Sequence, residues 1–63
     1  MPSNPEIEKV IDDWCHNVRH RQALKGRMCH GLTNGEIARE MHFDERTIKR
    51  YVALGRKAIE GHI

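Results

Sequence analysis

The chain has 63 residues, of which 38% are hydrophobic and 32% charged, and its formal net charge is +2 at pH 7. This length allows one domain at most, near the lower limit at which a hydrophobic core alone holds a fold. The composition argues against a disordered chain, and no apolar run approaches the roughly 18 residues of a membrane span. No basic segment followed by an apolar one opens the sequence, so a signal peptide is not expected. We therefore expect a cytoplasmic protein without a membrane partner, in which Cys15 and Cys29 are reduced thiols.

Charge is distributed unevenly along the chain, although the net charge is small. Residues 6–13 are acidic with a single lysine, whereas residues 19–27 and 46–57 are basic and contain no acid. This pattern predicts an acidic first helix and a side of the molecule that binds anions.

The N-terminal segment, residues 1–18, is predicted to form an amphipathic helix that begins at Asn4 or Pro5. The apolar residues of this segment recur at steps of three and four, as on one helix face: Ile7, Val10, Ile11, Trp14 and Val18. The stripe loses phase in residues 17–21, so we expect a break there and a second helix from near His20.

Trp14 has two interpretations, a core residue or part of a dimer interface, and one side chain can serve both. The first helix has more apolar residues than a three-helix core of this size needs. We therefore expect a homodimer with its interface at Ile7, Ile11 and Trp14, and with the acidic flank of the helix turned away from DNA.

The second predicted helix has Ala23, Leu24 and Met28 on its buried edge. Gly26 lies inside it, at a cost of about 1 kcal/mol in helix propensity. Gly31 is expected to end it, because glycine adopts the left-handed conformation at little cost.

Two helix-start signals follow within twenty residues. Thr33 and Glu36 fit a capping box at the start of a third helix. Asp44 is predicted to cap a fourth helix from Glu45 to about Ile59, with Phe43 anchoring the turn between the two. The predicted buried sides are Ile37, Ala38 and Met41 on the third helix and Ile48, Val52, Gly55 and Ile59 on the fourth. The prediction is an all-α bundle of four to five helices in a single domain, residues 1–63.

Two short helices joined by a tight turn, the second basic, form the helix-turn-helix arrangement that enters the DNA major groove. Residues 20–60 are therefore predicted to be the DNA-binding core. The outer face of the fourth helix would expose Glu45, Arg46, Lys49, Arg50, Ala53 and Arg56. Arginine reads guanine edges bidentately, and both cations neutralise phosphates.

The stretch GLTNGEIAREMHFDERTIKRYVALGRKAI, residues 31–59, resembles the helix-turn-helix of LuxR/GerE-type response regulators. It is nearly as similar to region 4 of bacterial sigma factors. The resemblance implies phosphate contacts at Thr33 and Thr47 and base contacts at Arg46, Lys49 and Arg50. The expected DNA-binding surface is completed by Asn34, Ala53 and Arg56.

The sequence departs from the family pattern at Gly35, where a lysine is usual, so one phosphate contact is expected to be missing. The LuxR-type module also continues into a helix that pairs two subunits, whereas this sequence ends at Ile63. No receiver or ligand-sensing domain is expected.

Other chemistry finds less support in the sequence. Cys15, His16, His20, Cys29 and His30 contain the ligand types of a zinc site, but they lack a Cys-x-x-Cys or His-x3-His pair. We expect buried thiols and solvated or phosphate-facing histidines instead, with no metal and no cofactor. No catalytic triad, carboxylate pair or phosphate loop is visible, so we do not expect an enzyme.

Two functions therefore stay open. The first is a sequence-specific transcription regulator of bacterial, phage or plasmid type, acting as a homodimeric repressor on double-stranded DNA. The second is an interaction protein that contacts RNA polymerase or another regulator, with the acidic first helix as its docking face. A DNA-packaging or recombination accessory domain is a weaker third.

Overall fold

Four α-helices make up the chain in the computed structural model, which describes residues 4–62. They are α1 (Asn4–Trp14), α2 (Val18–Met28), α3 (Asn34–Met41) and α4 (Glu45–Ile59). No strand occurs in this part of the chain, so the all-α prediction is confirmed. None of the four helices is both long enough and apolar enough to cross a membrane. Residues 1–3 of the predicted N-terminal segment, and Ile63, lie outside the described residues.

A single core joins the four helices, with α4 packed across α2 and α3. Its buried apolar residues are Ile11, Cys15, Ala23, Leu24, Ile37, Ala38, Ile48, Val52 and Ile59. The sets predicted for α2, α3 and α4 are all buried or half-buried, as periodicity indicated.

Two glycines allow the helices of this core to approach closely. A Cβ on Gly26 would lie 3.0 Å from two side-chain carbons of Ile37, and one on Gly55 would lie 3.1 Å from Leu24 Cδ2. The absence of a side chain at Gly26 allows α3 to pack closely against α2, which explains a glycine inside a helix despite its low helix propensity.

The start of α2 differs from the prediction. The helix begins at Val18 rather than near His20, because Asn17 caps it: Asn17 Oδ1 accepts hydrogen bonds from the N–H groups of Arg19 and His20, at 3.0 and 3.2 Å. Val18 therefore does not belong to the stripe of α1 and is 57% exposed.

The dimer interface predicted on α1 needs correction at Ile11. Its side chain is 0% exposed and belongs to the core of its own chain, so it cannot meet a partner in the folded state. Ile7 is half-buried and packs against the same core. Trp14 is the member of the predicted set that remains largely exposed, at 48%. The apolar stripe of α1 thus completes this small core and is not surplus to it.

The helix-turn-helix itself follows the predicted signals. Thr33 and Glu36 form the reciprocal capping box, Asp44 caps α4, and α4 has the predicted bounds. The turn between α3 and α4 adds a feature that was not predicted, since His42 has φ 61° and ends α3 in the left-handed conformation. The N–H of Phe43 then donates to the carbonyl of Ala38 at 3.0 Å, which closes the turn.

Candidate nucleic-acid interface

The outer face of α4 is a solvent-exposed basic surface. Ile48, Val52, Gly55 and Ile59 occupy the buried face of the helix, and the opposite side exposes the residues that sequence reasoning placed there: Glu45, Arg46, Lys49, Arg50, Ala53 and Arg56. Ala53 is small, so the helix axis can approach a groove closely between the longer cations on either side. The structure thus confirms the exposure of this set and its separation from the core.

A shallow cleft lies beside this face, where α4 meets the end of α2 and the start of α3. It is lined by Arg27, Asn34, Lys49, Val52, Ala53 and Arg56. Four residues of the predicted DNA-binding set, one from α3 and three from α4, therefore surround one depression. The N-terminus of α3 opens into it, and a helix N-terminus together with three cations favours an anion such as a phosphate.

Arg27 belongs to this cleft but was missed as a site residue in the sequence. Its guanidinium Nη1 donates to the carbonyl of Leu32 at 3.0 Å, which ties the end of α2 to the loop before α3. The remaining donors of the guanidinium stay available for a phosphate. The signal in the sequence was the basic block 19–27, which does not show which of its cations faces the helix-turn-helix.

Two other cations of that basic block make contacts within the chain. Lys25 pairs with α1, its Nζ lying 2.6 Å from Asp12 Oδ1 and 3.6 Å from Glu8 Oε1. The hydrogen bond with Asp12 is the main cause that raises the pKa of Lys25. Arg19 lies over the ring of Phe43, with its guanidinium carbon 5.2 Å from the ring centroid. Two cations of this block are therefore engaged within the chain.

The two threonines expected at phosphates differ in what their hydroxyls can offer. Thr33 Oγ1 accepts from the N–H of Glu36 at 3.2 Å, which leaves its proton available to a phosphate oxygen. Thr47 Oγ1 donates to the Asp44 carboxylate, so its proton is already used. A phosphate contact by donation from Thr47 requires this bond to open, whereas one from Thr33 does not.

The side chain of Asn34 has an unsatisfied acceptor in the cleft. Its Oδ1 is buried without a hydrogen-bond partner among the described residues. A buried acceptor usually finds a donor, and Lys49 and Arg27, whose side chains are hydrogen-bond donors, line the same cleft. The position of Asn34 beside these cations agrees with its predicted place in the DNA-binding surface.

An aromatic cluster fixes the end of the recognition helix nearest the turn. The Tyr51 ring meets Phe43 edge-on at 5.7 Å between centroids and His20 at 5.1 Å. Since Phe43 follows the turn and His20 lies in α2, the cluster sets the angle between the turn, α2 and α4.

Metal ligation finds no support in the described part of the chain. Between residues 4 and 62 no three His, Cys, Asp or Glu side chains converge as a metal site requires. Cys15 is buried in the core, and burial raises the pKa of its thiol.

Comparison with known proteins gives one family. The family described as Sigma-70, region 4 matches residues 17–59, more than half of the chain. None of the curated proteins and none of the solved structures that were compared with the chain matches it. The match covers α2, α3 and α4 and includes every residue of the predicted DNA-binding set, and α1 lies outside it. It agrees with the second of the two resemblances seen in the sequence, while the one to LuxR/GerE-type regulators stays a prediction. The chain belongs to the sigma-70 region 4 family, a DNA-binding helix-turn-helix module.

Proposed function

We propose that this protein is a sequence-specific DNA-binding transcription regulator that inserts α4 into the major groove. The observation that supports this most is the outward basic face of α4, where Arg46, Lys49, Arg50 and Arg56 are exposed and separated from the core. In a family of helix-turn-helix modules, such a face is the surface that reads base edges.

The residues divide between two tasks. Arg46, Lys49 and Arg50 lie on the exposed first turns of α4 and read bases in this proposal. Arg27 and Thr33 hold the phosphate backbone from the cleft and the α3 cap, which fixes the register of the helix on the duplex. The proposal includes repression by a homodimer, since one recognition helix spans few base pairs and two copies on half-sites one turn apart add their contacts.

Selection of bound duplexes from a random pool, followed by titration at several salt concentrations, tests this function. Lys49→Ala or Arg50→Ala should cost about 1–3 kcal/mol of specific affinity if the side chain reads a base. Arg27→Ala should weaken all duplexes alike and lower the salt slope by about one. His30→Ala is a control, because His30 lies just after α2, is exposed and lines a different cleft, together with Glu40 and Met41. Equal binding by the parent and by both α4 variants would refute the proposal.

A contact with RNA polymerase is the second candidate, and one observation favours it. An open cleft between the ends of α2 and α4 is lined by the apolar Met28 and Ile59 and by two cations, Arg56 and Lys57, with one acid, Glu60. Such a cleft fits an acidic, apolar peptide segment of a larger partner. Polymerase retained by the immobilised chain without DNA, and lost with Met28→Lys, would favour this function over the first.

A further inference from the structure

The side chain of Asn34 has a property that a phosphate contact does not explain. Asn34 is the first residue of α3 and follows the cap Thr33, so its side chain is not needed to cap the helix. Its Oδ1 atom is buried and accepts no hydrogen bond within residues 4–62. An unmet buried acceptor is rare, because the lost hydration costs free energy. A phosphate cannot satisfy it, since phosphate oxygens are acceptors as well, so Asn34 needs a donor.

Three cations line the cleft that contains Asn34, and they are the source of side-chain donors in its walls. They are Arg27, Lys49 and Arg56, while the other two lining residues carry apolar side chains. Bulk water does not reach the oxygen, because the atom is buried. The donor that satisfies Asn34 should therefore come from one of these three cations.

Lys49 is the best placed of the three along α4. A Cβ on Gly35 would lie 3.8 Å from Glu45 Oε2, so the start of α3 lies close to the first turn of α4. Lys49 follows Glu45 by one helical turn, about 6 Å along the axis, whereas Arg56 lies about 16 Å beyond Glu45. The lysine is therefore nearer to the start of α3 than Arg56 is.

Lys49 is also the freer of the two remaining donors. The guanidinium of Arg27 is held by its hydrogen bond to the Leu32 carbonyl at 3.0 Å. Lys49 is exposed and forms no ion pair within residues 4–62, so its ammonium can turn toward the cleft. An ammonium on a flexible stem has three donors. One of them can meet Asn34 while two others contact DNA.

We propose that Asn34 is a positioning residue for the base-reading Lys49. When α4 lies in the major groove, Asn34 Oδ1 accepts one hydrogen bond from the ammonium. The two remaining N–H groups then point at one base edge, such as O6 and N7 of guanine. A held ammonium discriminates between bases better than a freely rotating one, because less side-chain freedom is lost on binding. The inference deepens the proposed function and rests on it, and it assigns Asn34 to specificity instead of the phosphate backbone.

Binding to the selected duplex and to its single-base variants tests this role. The base pair read by Lys49 is the one at which Lys49→Ala loses its preference. Asn34→Leu removes the acceptor at similar volume and should lower discrimination at that pair by about tenfold, with other positions and the salt slope unchanged. Gln22→Leu is the matched control, because it removes an exposed amide from a separate cleft between α2 and α3 and should change neither.

Two further measurements separate positioning from a structural role. Asn34→Asp keeps the acceptor oxygen, so it should retain the discrimination while its added negative charge weakens every duplex. Asn34→Leu should melt at or above the temperature of the parent, because it removes an unmet buried acceptor from the free chain. A lower melting temperature with an unaltered base preference would show a structural role and overturn the proposal.

The double variant shows whether the two residues act as a unit. Asn34→Leu combined with Lys49→Ala should discriminate no worse than Lys49→Ala alone. An effect of Asn34→Leu that persists without the lysine, and disappears in Arg27→Ala, would assign the acceptor to Arg27 and overturn the proposal. So would an Asn34→Leu chain that discriminates like the parent.

The outcomes also separate this role from the function on which it rests. If Lys49→Ala weakens all duplexes alike, the lysine contacts phosphate, and the positioning role is overturned while DNA binding stands. If no duplex is selected from the random pool, the proposed function fails, and the role of Asn34 fails with it.

Discussion

Gly55→Ala tests how tightly α4 is seated against α2. A Cβ at this position would lie 3.1 and 3.2 Å from Cδ2 and Cβ of Leu24 and 3.3 Å from the carbonyl oxygen of His20. The Leu24 side chain can yield by a small rotation, but the His20 oxygen is backbone. The backbone of α2 at His20 would therefore have to shift away from α4 by a few tenths of an ångström.

The expected magnitude follows from two opposing contributions. Alanine in a helix interior gains about 1 kcal/mol over glycine, and overpacking a core costs about 1–3 kcal/mol. The difference is a net loss of up to about 2 kcal/mol in the free energy of unfolding, and we expect the upper part of this range because the contact involves backbone. In a domain of this size each kcal/mol lowers Tm by about 4–8 °C.

Thermal melts followed by circular dichroism measure this effect, with Gly35→Ala as the control. A Cβ on Gly35 would meet nothing nearer than Glu45 Oε2 at 3.8 Å, an ordinary contact, so this variant should melt at or above the temperature of the parent. If Gly55→Ala melted as high as Gly35→Ala, the close packing of α2 on α4 would be refuted.

Three further predictions follow from the cap, the turn and the core. Ile11→Ala should cost about 2–5 kcal/mol in urea unfolding, because the side chain is 0% exposed; unchanged stability with an altered oligomeric state would revive the interface interpretation. His42→Gly should raise stability by about 1 kcal/mol, since φ is 61° there, and a lower melting temperature would contradict the left-handed cap. The side-chain hydrogen bond from Thr47 is the main cause that lowers the pKa of Asp44 below its ordinary 3.8. Its contribution to stability is therefore present above the unfolded pKa and lost as pH falls through the folded one. Asp44→Asn should flatten the acid limb of the stability curve, and an unchanged limb would contradict this assignment.

Periodicity and capping predicted most of the helix-turn-helix from the sequence. The buried face of α4 could be read from its four-three-four spacing, and the caps at Thr33 and Asp44 from residue type and position. These signals depend only on residues that are close in sequence, so the helix starts and buried faces can be predicted without knowledge of the tertiary contacts.

The predictions were wrong or incomplete where the local sequence gives no clear signal. Asn17 caps α2, but the residue three places later is not the Glu or Gln of a capping box. The sequence therefore predicted the start of α2 two residues too late. His42 adopts the left-handed conformation, which the sequence did not indicate because the residue is not a glycine. The role of Ile11 was misjudged because amphipathicity shows that a face is apolar but does not show whether it meets the same chain or another.

The DNA-binding surface depends on a helix that lies outside the family match. Ile11 is fully buried in the core shared with α2 and α4, and α1 packs against both of these helices. Asp12 and Glu8 hold Lys25, one turn before the residues that end α2. These ion pairs tie α1 to the C-terminal half of α2, which contains Arg27. Arg27 bonds the Leu32 carbonyl and lines the cleft that would hold a phosphate in the proposed function. We therefore expect α1 to support the proposed DNA binding through α2, by helping to hold Arg27 in position.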